Sequence, residues 1–336
     1  MLSVFVAATN DSPAMTPTNA VDAATNPPAP ALVAVDPVED DYHKLLAADD
    51  AAQAEVDKWI RDNQSFLASG GGVPDAELNR RIEERLKPVR QAYENFITLH
   101  TDHARARIAY GSFLNDTREE DAAAEQWEKA RALDPQNPAV WNNLANYYGE
   151  HGSVTNSFAL YTKAIELNPL QPVYHHNFGT TVYLFRKDAM EFFQLTEPEV
   201  CDKAFNLYSN ALRLDPENFP LASDIAQTWY GIKPLRVEEA LQSWTNALAL
   251  ARDEIEREGV YLHFARVKLA AGRYDEVRAH LGSVTNEMYA DLKKRLARNL
   301  AAAENPAATT NAVPPAAEVK YGNTNELPQA IYRLGR

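Results

Sequence analysis

The chain has 336 residues, with 33 Lys and Arg against 47 Asp and Glu, a formal net charge of −14 and a pI near 5.1. An acidic balance of this size argues against nucleic acid as a partner, because phosphate binding needs a basic stripe whose cations displace counterions. The lone cysteine, Cys201, excludes an intramolecular disulfide and a multi-cysteine metal centre, and is expected to pack as a small buried hydrophobe.

Residues 1–40 are rich in Ala, Pro, Thr, Asn and Asp, and prolines at 13, 17, 27, 28, 30 and 37 interrupt any periodicity; they are expected to be disordered. Within them the run LSVFVAA, Leu2 to Ala8, looks like the end of a secretory signal without its basic flank. Read as a truncated signal it points to an exported protein; read as chance, to a cytoplasmic one. No apolar run approaches the ~18 residues of a membrane span, so no transmembrane segment is expected.

A helical pair is expected over residues 41–103. Its first helix, 45–67, puts Val56, Ile60 and Phe66 on one side, and its second, 75–100, follows the break Gly70-Gly71-Gly72. Pro88 either kinks the second helix or marks its true start, since it removes a backbone donor.

From Ala104 onward the apolar residues fall into pairs of short amphipathic helices. Residues 104–137 carry Tyr110-Gly111 and Leu114 on a first helix, then Ala123, Trp127 and Ala130 on a second. In residues 138–171, Trp141, Leu144, Ala145 and Tyr148 fall at i, i+3, i+4 and i+7, so they share one face of a helix. After Gly152, Phe158, Tyr161 and Ile165 fall at i, i+3 and i+7 with Ala164 beside them, and Asn168-Pro169 ends the pair. Residues 172–218 keep Phe178-Gly179, but Tyr161 to Tyr208 is 47 residues, which places an insertion near 185–197. Thr196 and Glu199 there read as a capping box for the next helix. The apolar residues Met190, Phe192, Phe193 and Leu195 of this insertion either fold back on the protein or form an exposed partner site.

Residues 219–257 carry Trp229, Ala240, Trp244 and Ala247 without a closing proline, so the second helix is expected to run on through Arg252 to Glu256. Residues 258–285 show Phe264-Ala265, Gly272, Tyr274 and Leu281. Residues 286–303 read as one amphipathic helix, with Met288, Leu292, Leu296 and Leu300 inward and Lys293, Lys294, Arg295 and Arg298 outward. Its polar outer face suits a terminal cap. Residues 304–336 are expected to be a disordered tail.

Helix pairs this short cannot bury their apolar faces alone and need neighbours. Tyr93, Trp127 and Tyr161 follow one another at intervals of 34 residues, as do Ala130 and Ala164, and Pro135 and Pro169. Together with the large-small pairs Leu144-Ala145 and Phe178-Gly179 and the endings Asp134-Pro135, Asn168-Pro169 and Asp215-Pro216, this pattern resembles the tetratricopeptide repeat (TPR). The resemblance implies an all-α fold, a right-handed superhelical solenoid of about five TPR hairpins with a C-terminal capping helix. It also implies that the first helices line a concave groove.

At the groove-facing positions stand Ile108, Ser112 and Asn115; Asn142, Asn146 and Gly149; His176, Thr180 and Tyr183; Ser223, Gln227 and Tyr230; and Leu262, Arg266 and Leu269. Amides both donate and accept, so they can pair with a peptide backbone, and tyrosine adds rigid area with a polar tip. The alternative is that Tyr183 and Tyr230 only fill gaps between hairpins. Gly149 either leaves room for a ligand side chain or loosens the end of its helix. Asn143, Asn177 and then Asp224 partly resemble the asparagine ladder of glycosyltransferase-associated repeats. The carboxylate-clamp variety needs basic groove residues, and Arg105 and Arg266 stand at opposite ends, so the clamp is not carried over.

No catalytic constellation has the spacing a mechanism requires. Gly70-Gly71-Gly72 precedes Val73-Pro74 and lacks a phosphate-holding lysine. His175 and His176 are adjacent, so they point about 100° apart on a helix and cannot share a metal unaided. The expectation is a non-catalytic scaffold without cofactor or metal, holding a peptide or partner protein in the groove through Asn142, Asn146, His176, Thr180, Tyr183, Ser223, Gln227, Tyr230 and Arg266. The alternative is an accessory or regulatory subunit that docks through the apolar insertion at 185–197.

Overall fold

The computed structural model describes residues 36–68 and 71–305, and the expectations for residues 1–35 and for the tail from 306 fall outside them. Fourteen α-helices and no strands are found among the described residues. They form two compact units, divided between Pro169 and Leu170.

The first unit contains α1 (Pro37–Ala68), α2 (Asp75–Leu99), α3 (Ala104–Asp116), α4 (Glu120–Leu133), α5 (Pro138–Glu150) and α6 (Val154–Leu167), packed as successive pairs. α1 begins at Pro37, inside the stretch expected to be disordered. Asp36 explains the early start: its carboxylate accepts the Val38 N–H at 3.0 Å, Pro37 needs no donor in the first turn, and Glu39 and Asp40 face the positive end of the helix. α2 runs unbroken through Pro88, whose ring is exposed, so Pro88 does not mark its start and the carbonyl it leaves unpaired is on the solvent side. The turn between the two helices is held by Asn63, which accepts the Val73 N–H at 2.7 Å and donates to the Val73 carbonyl at 3.2 Å.

The aromatic residues spaced by 34 are buried in this unit, and each hydroxyl or indole N–H has a partner. Tyr93 donates to Asp49 at 2.7 Å, Trp127 to the Ile108 carbonyl at 3.2 Å and Tyr161 to Asn146 at 2.6 Å. Trp141 departs from expectation. It is half-buried, donates to the Pro135 carbonyl at 2.9 Å and lies under the Arg131 guanidinium, while Val140 takes the inward place beside Leu144 and Ala145.

The second unit contains α7 (Pro172–Leu184), α8 (Arg186–Phe193), α9 (Glu197–Leu214), α10 (Phe219–Thr228), α11 (Val237–Leu250), α12 (Glu254–Ala270), α13 (Tyr274–Gly282) and α14 (Ala290–Glu304). α7 pairs with α9, α10 with α11 and α12 with α13. The short helix α8 lies in the expected insertion, and Thr196 starts α9 by donating its N–H (2.8 Å) and its hydroxyl (2.7 Å) to Glu199.

Two expectations are corrected here. α11 stops at Leu250 and does not reach Glu256, because Asp253 caps a new helix by accepting the Glu256 N–H at 2.8 Å. The inward stripe of the terminal helix omits Met288, which is exposed. A 3-10 turn over Glu287–Tyr289 precedes α14 and buries Tyr289 in its place, and Leu296 and Leu300 follow.

Candidate partner-binding surface

In the first unit the groove positions of α5 are turned to internal use. Asn142 is fully buried and donates to Asn143 Oδ1 at 3.1 Å, and buried Asn146 accepts the Tyr161 hydroxyl. Neither presents a free amide to a partner, which corrects the expectation for both. Their burial follows from close helix packing, where an amide satisfies polar neighbours that water cannot reach.

In the second unit, side chains join the first helices α7, α10 and α12 into one wall. Nε2 of His176 (α7) lies 3.6 Å from Oδ2 of Asp224 (α10). Thr180 Oγ1 accepts the hydroxyl of Tyr208 (α9) at 3.2 Å. The Tyr183 hydroxyl donates to the Thr228 carbonyl at 2.8 Å, where α10 tightens into a 3-10 turn over Trp229–Gly231. Tyr230, at that turn, reaches α12: its hydroxyl lies 3.0 Å from His263 Nδ1, and the Arg266 guanidinium sits 4.2 Å above its ring.

The electrostatics of the wall follow from burial. The His263 imidazole is pushed down to about 3, first by burial and then by the charge of Arg266. It is therefore neutral at physiological pH, and it stacks on Trp244 at 3.9 Å and 10°. Burial pushes His176 down to about 4 and raises Asp224 to about 7, so near neutrality the imidazole is neutral and the carboxyl is only partly ionised.

Of the expected lining residues, the wall thus contains His176, Thr180, Tyr183, Gln227 and Arg266 as half-buried side chains, and Ser223 and Tyr230 as buried ones. Burial takes Ser223 and Tyr230 out of direct reach of a partner, because Tyr230 fills the gap between α10 and α12. Tyr183 also turns its hydroxyl inward while its ring stays half-exposed. The residues that periodicity did not select as lining are Asp224, Thr228 and His263. Asp224 had one signal, since it stands where Asn143 and Asn177 stand in preceding repeats.

Gly231 is required by this arrangement. A Cβ there would lie 1.6 Å from the Tyr183 hydroxyl oxygen. Gly231→Ala is therefore expected to swing Tyr183 off the Thr228 carbonyl and cost about 2 kcal/mol, the sum of overpacking and a lost hydrogen bond. Urea unfolding checks this, and the cost should fall in a Tyr183→Phe background, which removes the nearest atom.

The insertion helix α8 divides its apolar residues between two fates. Ala189 is buried, and Phe193 packs on Phe178 with Lys203 Nζ 4.3 Å over its ring, while Phe192 is 43% exposed, as is Leu184 at the preceding end of α7, at 51%. Among the described residues no group of three or more His, Cys, Asp or Glu could hold a metal ion, and no helix is long and apolar enough to cross a membrane.

No protein-family model and no curated protein matches this sequence. Similar solved structures include PilW, a widely conserved type IV pilus biogenesis factor, at 12% identity over 66% of this chain and 94% of that one, with a TM-score of 0.52. PilF of Pseudomonas aeruginosa is similar at 17% identity over 69% and 90%, TM-score 0.46. YrrB, a TPR protein with an unusual peptide-binding site, is similar at 12% identity over 64% and 99%, TM-score 0.46. The paired helices, their 34-residue step and the likeness of fold agree: the chain has the tetratricopeptide-repeat fold.

Proposed function

We propose that the protein is a non-catalytic scaffold whose α7–α10–α12 face holds an extended segment of a partner protein. The observation that carries this reading is the row His176, Thr180, Gln227 and Arg266 on three consecutive first helices, half-buried in each case. Such side chains are fixed by their surroundings yet still reachable, which lowers the ordering cost of binding. The acidic net charge favours a protein ligand over nucleic acid. The second reading, docking through α8, is favoured by exposed Phe192, with exposed Leu184 just before the helix at the end of α7.

Peptides selected against the protein from a random display library separate the two. The groove reading expects Thr180→Lys with Gln227→Lys to weaken the selected peptides at least roughly tenfold, a loss of ~1.4 kcal/mol, and Phe192→Asp to leave them unchanged. The opposite pattern establishes α8 as the docking element. Tyr183→Ala with Tyr230→Ala would not separate the two readings, because removing buried Tyr230 would unpack α10 from α12.

A further inference from the structure

Asp224 of α10 faces His176 of α7 and Tyr208 of α9, and no cation recorded among the described residues balances its charge. Among the described residues the polar side chain recorded against its carboxylate is His176, whose Nε2 lies at 3.6 Å, longer than a good hydrogen bond. The remaining titratable group facing it is the Tyr208 phenol of α9, which stays protonated because burial pushes it up. Among the described residues no lysine or arginine pairs with Asp224. Yet 23% of its side chain and 13% of that of His176 stay open to solvent, beside Thr180 and Gln227 on the neighbouring turns.

A carboxylate that has lost much of its water without gaining a cation is a poor structural element and a good receptor. In the two preceding repeats the same position holds a neutral asparagine, Asn143 and Asn177, each fully buried. The fold therefore accommodates an uncharged side chain there, and the charge of Asp224 is not needed for packing.

We infer that Asp224, with His176 beside it, is a receptor for one cationic side chain, a guanidinium or ammonium group, carried by the partner segment. This rests on the α7–α10–α12 face being the binding surface. The wider field agrees, since a chain of charge −14 draws basic ligands towards it. The raised midpoint of Asp224 adds a signature: a bound cation favours the ionised form, so binding below about pH 7 must expel a proton. The sign for stability is opposite. The folded protein binds this proton more tightly than the unfolded chain does, so Asp224 lowers stability as pH rises from about 4 through about 7.

The test uses full-length protein, the library-selected peptides and one defined probe pair, acetyl-Ala-Arg-Ala-amide and the same peptide with citrulline, which is neutral and of similar shape. The inference expects selected peptides to share a basic residue and to bind roughly tenfold tighter near pH 8 than near pH 6, one proton being released across a midpoint of about 7. It expects the arginine peptide, and not the citrulline one, to lower the Asp224 midpoint followed by carboxyl carbon NMR. Asp224→Asn should weaken the peptides about tenfold, remove the pH dependence and leave thermal stability near pH 8 equal or higher. If selected peptides respond to Thr180→Lys with Gln227→Lys but carry no basic residue and ignore Asp224→Asn, the inference is overturned and the binding face stands. If they ignore both changes, the face itself is wrong. If Asp224→Asn lowers stability near pH 8, the carboxylate is structural and the inference fails.

Discussion

Trp127→Ala is expected to destabilise the first unit by about 3–5 kcal/mol, the cost of emptying a fully packed indole site, and to lower its melting temperature by roughly 10 °C. Trp127 is buried between α3 and α4, and its indole N–H donates to the Ile108 carbonyl at 3.2 Å. The ring fits because Gly111 has no side chain: a Cβ at 111 would lie 2.4 Å from the indole nitrogen and 2.6 Å from Cδ1. Two effects oppose each other in Gly111→Ala. Alanine gains up to about 1 kcal/mol in helix propensity, while overpacking a rigid buried ring costs about 1–3 kcal/mol. At 2.4 Å the clash should win, so the single variant loses stability. In the Trp127→Ala background the clash is gone and the same Gly111→Ala change should stabilise. This reversal of sign, read by far-ultraviolet circular dichroism during urea unfolding, measures the coupling of the two residues directly.

The second large effect is expected at Glu258, a buried carboxylate on α12. It accepts the Thr285 N–H at 3.0 Å, the Asn286 N–H at 2.8 Å and the Thr285 hydroxyl at 2.8 Å, and so ties the loop before α14 to the preceding pair. Glu258→Ala leaves two backbone donors without an acceptor and is expected to cost about 3 kcal/mol, given that bonds to a charged acceptor are worth ~1.5–3 kcal/mol each. Glu258→Gln keeps one carbonyl oxygen and should fall between. Burial pushes the Glu258 carboxyl up, but the N–H of Asn286, the two Thr285 donors and Lys293 outweigh it and hold it below its ordinary value of 4.5. Its stabilising effect is therefore present above that value and is lost as pH falls through the lowered folded one. Thermal unfolding of wild type and Glu258→Ala should differ most near neutral pH and converge in acid.

The helical pairs were legible because their signal is redundant. Tyr93, Trp127 and Tyr161 repeat at a fixed step, and the small residues beside them allow close approach, as Gly111 does for Trp127. What the period did not resolve are choices made by single side chains. The break between α11 and α12 depends on Asp253 as a cap, a signal present in the sequence as Asp253 with Glu256 three residues on, but hidden by the apolar run before it. Met288 lies at the right spacing to be inward, yet the 3-10 turn has a different pitch and buries Tyr289.

The candidate site was legible as a set of positions but not as a surface. Periodicity assigns Asn142, Asn146, Ser223 and Tyr230 to one face, but it cannot tell a polar group facing a partner from one satisfying a neighbour. Here Asn146 holds Tyr161, and Tyr230 reaches His263. Asp224 was hidden for the complementary reason: a carboxylate in an acidic chain reads as solvated, and only its place between three helices shows that it is largely desolvated.

The most direct measurement for the proposed binding face is photo-crosslinking with benzoylphenylalanine introduced in place of Gln227 in one protein and Phe192 in another, each mixed with a library-selected peptide. The account predicts that the probe at 227 captures the peptide and the probe at 192 does not. Capture from 192 with none from 227 would contradict it.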